Sequence, residues 1–141
     1  MASQQEMQEK LVLYQLLQQH LETLKQQAVL LQNRFMELEV TKQAVDDIKK
    51  IKQVNDTLIP LGSGVYVHGK INDIKKVLVD VGAGVMMNKD IDASLAVIED
   101  KRAEVEKLLE SLQGEVNEVV QKINQIGAQL QAMMQQEKGK E

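Results

Sequence analysis

Thr57-Leu58-Ile59-Pro60-Leu61-Gly62-Ser63-Gly64-Val65-Tyr66-Val67-His68 and, a few residues on, Lys76-Val77-Leu78-Val79-Asp80-Val81-Gly82-Ala83-Gly84-Val85-Met86-Met87 decide the architecture. Four short β-branched or apolar runs are joined in pairs by two Gly-x-Gly turns, which reads as two β-hairpins. Asn72-Asp73 supplies a turn between them. Pro60, the only proline, lacks a backbone donor, so its strand lies at an edge or at its own end. Two isolated hairpins expose their edges and are marginal in water. The centre, residues 57–89, is therefore expected to be an assembly body completed by strands of other subunits.

On either side the period changes. The later stripe reads Ile91, Leu95, Ile98, Arg102, Val105, Leu109, Leu112, Val116, Val119, Ile123, Ile126, Leu130, Met133; the earlier reads Met7, Lys10, Tyr14, Leu17, Leu21, Leu24, Ala28, Leu31, Phe35, Leu38, Lys42, Val45. Spacings of three then four residues, sustained throughout, give the repeat of about 3.5 that marks a coiled coil. From residue 5 to 53 there is no glycine or proline to break a helix. The expected fold is α+β and mainly α. A coiled-coil helix over 5–54, the two hairpins, and a second helix over 90–138 would form one domain spanning 1–141. Asp90 is placed as N-cap, and Asp92 favours the helix start. Two helices of nearly equal length joined by hairpins should pair antiparallel, with facing residue numbers adding to about 144. Both chain ends would meet at the tip away from the hairpins. Gly114 and Gly127 fall off the stripe, each costing about 1 kcal/mol relative to alanine, and could let the arm flex.

Composition fits a thin seam. Aromatics make up only 2% of the 141 residues, as Tyr14, Phe35 and Tyr66, whereas compact cores lean on rings that bury ~150–250 Å² each. The net charge of −4 with both signs interspersed carries no footprint for nucleic acid. No cysteine is present, which removes disulfides and thiolate metal sites. The start, Met1-Ala2-Ser3-Gln4-Gln5-Glu6, has neither a basic nor an apolar signal-peptide region. No apolar run approaches the ~18 residues of a membrane span. A cytoplasmic protein is expected.

Val65-Tyr66-Val67-His68-Gly69-Lys70 and Val77-Leu78-Val79-Asp80-Val81-Gly82-Ala83-Gly84-Val85 resemble prefoldin, specifically its alpha-type subunits of the archaeal kind, and the match around Tyr66 to Lys70 is also similar to the eukaryotic alpha class. Leu58-Ile59-Pro60-Leu61-Gly62-Ser63-Gly64 resembles that family's first strand and turn. Beta-type subunits carry one hairpin, so two argue for alpha. The resemblance implies a hexamer of two alpha and four beta subunits, with the hairpins closed into a β-barrel body. It implies ATP-independent capture of unfolded client proteins at the coiled-coil tips, and delivery to a group II chaperonin. Carried onto this chain, the subunit-assembly positions are Leu58, Ile59, Leu61, Val65, Val67, Val77, Val79, Val81, Val85 and Met87. It implies no cofactor, no metal and no catalytic residue, hence no enzyme. The alternative is a structural coiled-coil scaffold or filament subunit without client binding, for which barrel strands would have no use.

The tip carries more apolar residues than one seam needs: Met7, Leu11, Leu13 and Leu16 on the first arm, Leu130, Met133 and Met134 on the second. Either they thicken the seam or contact a neighbouring arm, or they form an adaptable client-binding surface of flexible Met and Leu. Other motifs carry less. Gly64-x-x-x-x-Gly69-Lys70 begins like a phosphate-binding loop, but Ile71 stands where a metal-holding hydroxyl is needed, and the residues between alternate as a strand. His20 and His68 are the only histidines and have no convergent partner for metal or acid–base chemistry. Asn55-Asp56-Thr57 matches a glycosylation acceptor but reads as a turn without a secretory signal. Arg102 and Lys42 occupy the stripe itself, where a polar residue can fix register. Their charges are expected to reach out to acids such as Glu39, Glu99 or Glu106.

Overall fold

The computed structural model describes residues 4–52 and 56–140. In chain order the elements are α1 (Gln4–Lys50), β1 (Asp56–Gly62), β2 (Val65–Lys70), β3 (Lys76–Asp80), β4 (Met86–Asp90) and α2 (Ile91–Lys138). The mainly helical α+β class follows, with two antiparallel hairpins between two long helices. Helix α1 ends at Lys50, short of the expected 54; residues 53–55, which include Asn55 of the acceptor motif, lie outside the described residues. Helix α2 runs unbroken through Gly114 and Gly127.

Two compact units divide the chain, one formed by residues up to 34 with those from 105 on, the other by 35–104. In the first unit the stripe is the core. Leu24, Leu112 and Val119 are buried together, and Leu17, Leu21, Ala28, Leu31, Val116 and Ile123 pack against them. Lys10 Nζ donates to Gln129 Oε1 at 2.9 Å, so the start of α1 lies against the end of α2. The helices are antiparallel, as their spacing requires.

In the second unit Leu38, Val45, Ile91 and Ile98 are buried along the seam, with ion pairs around it. Lys49 Nζ meets Asp92 at 2.6 Å and Lys42 meets Glu99 at 3.3 Å, while Arg102 pairs with both Glu39 and Glu99. Lys49–Asp92, Lys42–Glu99 and Glu39–Arg102 have numbers adding to one constant value, about one seam position short of the expected 144. The two stripe cations reach out as expected, to Glu39 and Glu99 but not Glu106. The Arg102 guanidinium also lies 5.2 Å from the centre of the Phe35 ring. Seated between a ring face and two carboxylates, Arg102 keeps its stem in the seam and its charge paired.

These pairs set a pH response with two sides. Hydrogen bonds from Lys42 and then Arg102 hold the Glu99 carboxyl below its ordinary 4.5, and the bond to Asp92 raises Lys49 above 10.5. A depressed acid stabilises the fold above its unfolded value and loses that contribution as pH falls through the folded one. A raised base is fully effective below 10.5 and loses its contribution as pH rises beyond it. Thermal melts should therefore be flat between these limits and decline gently outside them, because the pairs are exposed. Glu99→Gln should flatten the acid side alone; an unchanged acid limb would refute the pairing.

The hairpins repeat one another. Leu58 to Val67 and Leu78 to Met87 align position for position through Gly62-Ser63-Gly64 and Gly82-Ala83-Gly84. Ser63 and Gly64 have φ of 49° and 79°, Ala83 and Gly84 of 52° and 73°. Two consecutive left-handed residues form a type I′ turn, whose twist matches that of the strands it joins. Gly62 and Gly82, at φ 110° and 119°, adopt a backbone closed to other residues. In the second turn Val85 N–H donates to Gly82 O and Val81 N–H to Val85 O, both at 3.0 Å, while Asp80 Oδ1 accepts from Gly82 N–H at 2.9 Å. Asp73 accepts from Lys75 N–H at 2.8 Å, making the expected turn between the hairpins. Asp90 directly precedes α2, whose first amide, Ile91 N–H, bonds Lys75 O at 3.2 Å. Lys101 of α2 donates to Asp80 O at 2.7 Å, tying the second hairpin to the helix.

Candidate functional site

Two apolar surfaces stand out, one in each unit. The first is on the hairpins. The register pairs Leu58 with His68, Ile59 with Val67 and Pro60 with Tyr66. Paired residues share a face, so Ile59 and Val67 lie on one side of the first hairpin, and Leu58, Pro60 and Tyr66 on the other. Neither side is covered: Leu58 is 56% exposed, Ile59 46%, Tyr66 58% and Val67 44%. Leu61 and Val65 beside the turn are exposed as well. Ile59 lies over Gly69, where an added Cβ would come within 2.6 Å of its Cδ1, so the glycine shapes that side of the ribbon.

The second hairpin pairs Val77 with Lys89, Leu78 with Asn88 and Val79 with Met87. Val77 and Val79 are half-buried within the chain itself, leaving them less surface to offer a neighbour than the other positions expected to assemble. Val81, Val85 and Met87 are exposed, and so are Leu78 and Met86 on the opposite face. Sequence reasoning omitted Tyr66, Leu78 and Met86. Their runs are continuous rather than alternating, the pattern of a strand that can be covered on both faces. Leu58 also belongs with Tyr66 rather than with Ile59, since the register puts neighbouring residues on opposite faces.

The second surface lies in the first unit, at the end holding the start of α1 and the close of α2. Leu11, Leu13, Leu16 and Met134 are about half exposed, as is Val12, which the sequence reading passed over. Met7 and Met133 are half-buried in the stripe. Leu130, at 8% exposure, is held inward by its place in the repeat and reaches the surface only where it lines a groove. This open groove of about 470 Å³ runs between the helices, bounded by Leu11, Tyr14, Gly127 and Met134 among others. A Cβ on Gly127 would sit 3.4 Å from the Tyr14 ring. The Tyr14 ring thus lies against α2 at Gly127, at a distance that a small side chain would just meet in ordinary contact.

His20 and His68 are exposed on different elements, and no group of three or more His, Cys, Asp or Glu side chains able to hold a metal occurs among the described residues. Gly64 sits in the tight turn and Gly69-Lys70 in strand β2, so the loop-like motif has no phosphate-cradling backbone. Among the described residues no helix is long and apolar enough to cross a membrane.

Comparison with known proteins concerns the chain as a whole. The family model for "Prefoldin subunit" matches residues 17–136. "Prefoldin subunit alpha" of Pyrococcus horikoshii is 27% identical over 88% of this chain and 84% of its own length. That of Archaeoglobus fulgidus is 26% identical over 97% of this chain and 100% of its own. Among solved structures, a filamentous PFD from Methanocaldococcus jannaschii superposes with a TM-score of 0.72 at 22% identity, over 82% of this chain and 95% of that one. The last likeness concerns the fold.

Proposed function

Because the chain belongs to the prefoldin family and is of its alpha type, we propose that it is a subunit of a chaperone that holds non-native polypeptides at the end of its coiled coil without catalysis or nucleotide. The hairpins serve as the mounting. Their strands join those of partner subunits, beta-type prefoldin chains in the hexamer that the family resemblance implies, and a group II chaperonin is the proposed recipient of the client. The observation that carries the client-binding part is the cluster of half-exposed Leu11, Leu13, Leu16 and Met134 beside an open groove. Unbranched Met changes rotamer at little cost and fits many partners, and Leu beside it adds apolar area without β-branching, which suits a site that must accept unrelated sequences. The seam beneath them keeps its own buried stripe, so these residues are surplus to holding the helices together.

Assembled with its partner subunits, the chain should suppress aggregation of a chemically unfolded protein without ATP. Leu13→Ser, Leu16→Ser and Met134→Ser together should reduce that suppression by about tenfold or more, as several half-exposed apolar contacts are lost. Native mass spectrometry should find the assembly unchanged, because none of the three is in a hairpin. Undiminished suppression would move client binding elsewhere. Suppression absent even from the unaltered chain, with an extended self-polymer in its place, would favour a scaffold.

A further inference from the structure

The groove beside Leu130 is uncharged in a chain that otherwise is not. Charged residues make up 27% of the sequence, yet α2 from Ile123 to Gln136 and α1 from Leu11 to Gln19 contain no Asp, Glu, Lys or Arg. What lines the groove carries no charge: Leu11, Tyr14, Leu130 and Met134 with the carboxamides of Asn124 and Gln131. Lys10, beside the α1 stretch, is engaged by Gln129 at 2.9 Å. Lys122 and Glu137 stand just outside the α2 stretch. A solvated helix face gains solubility from charge, and the rest of both helices uses it at shorter intervals, the longest other uncharged run being Gln26 to Asn33 in α1. Here that gain is given up on the two segments that border one groove.

Resting on the client-binding reading above, we propose that this groove selects uncharged stretches of non-native chain, extended runs of apolar and small polar residues whose backbone amides are unpaired. A carboxamide both donates and accepts, so Asn124 and Gln131 can satisfy the N–H and C=O groups that an unfolded segment brings with it. Apolar side chains of the segment settle against Leu11, Tyr14 and Met134. A charged side chain pressed against these residues sheds part of its water and finds no opposite charge among them, which disfavours it. Attraction of this kind has no ionic component for salt to screen. Selection by neutrality suits a holdase, since uncharged apolar stretches are the ones that aggregate and that a native surface seldom exposes.

The test uses the full chain in the assembly it forms with its partner subunits. The probes are three labelled peptides of equal length and equal Leu and Val content, with spacer residues of Ser and Gln, of Glu, or of Lys. Fluorescence anisotropy should give the Ser/Gln peptide an affinity about tenfold or more above either charged one. That affinity should hold between ~0.05 M and ~0.5 M salt. Gln131→Glu should improve binding of the Lys peptide and make it salt-sensitive. Equal binding of all three peptides, or loosening of the neutral one by salt, overturns the inference. The triple serine variant separates the two levels. If it binds all three peptides as tightly as the unaltered assembly, the client site itself is misplaced and this inference falls with it. If it loses all three while charge makes no difference in the unaltered assembly, only selection by neutrality falls.

Discussion

Leu24→Ala is expected to destabilise the coiled coil by about 2–3 kcal/mol. Leu24 is 2% exposed, the most enclosed apolar side chain among the described residues, and it shares its cluster with Leu112 and Val119. Truncation removes the transfer energy of the lost carbons and leaves a void that the ring of Leu17, Leu21, Ala28, Leu31, Val116 and Ile123 must fill. A two-helix seam has no second layer behind it, so the helices can close part of the gap. That puts the cost toward the low end of the usual range for Leu→Ala in cores. Leu30→Ala is the control, since Leu30 is 69% exposed on the same helix and should change stability by about 0.5 kcal/mol or less. Both changes introduce the same alanine into α1, so helix propensity cancels between them. Urea unfolding followed by helical circular dichroism reads the difference. Equal effects would mean that the buried stripe does not carry the stability of this unit.

That stripe was legible in the sequence because it depends on nothing but period. Every stripe position from Met7 to Val45 and from Ile91 to Met133 is buried or half-buried, Arg102 and Lys42 included. The turns were legible for a similar reason: Gly-x-Gly marks a left-handed backbone locally, and Ser63 and Ala83 adopt it between their glycines. Register was less so. A period of 3.5 is blind to a shift by one seam position, and the ion pairs that settle it, Arg102 with Glu39 and Lys49 with Asp92, depend on which acids happen to fall within reach. Exposure at the candidate client site was the least legible. Leu130 and Met134 are both apolar residues near the end of α2, but one is 8% exposed and the other 52%. The repeat already separated them, since only Leu130 is a stripe member.

Loss of assembly is the second large effect expected, from Ile59→Asp with Val67→Asp. The two side chains are cross-strand partners on one face of the first hairpin and are 46% and 44% exposed in the isolated chain. A two-stranded ribbon with apolar residues on both faces is marginal facing water, so its exposed residues point to cover supplied by other subunits. Two carboxylates placed in such an interface would have to shed water without a partner, at a cost of several kcal/mol. Association should weaken by about a hundredfold or more, read as subunit dissociation in native mass spectrometry. Helical circular dichroism should be nearly unaltered, since the buried cluster around Leu24 contains no hairpin residue. The opposite face gives the sharper comparison. Leu58→Asp with Tyr66→Asp alters residues that are 56% and 58% exposed but lie on the other side of the same ribbon. If the continuous apolar runs mean cover on both faces, this pair should dissociate the assembly as strongly as the first. If it leaves the assembly whole, the body covers one face only, and Tyr66, Leu78 and Met86 remain at its surface.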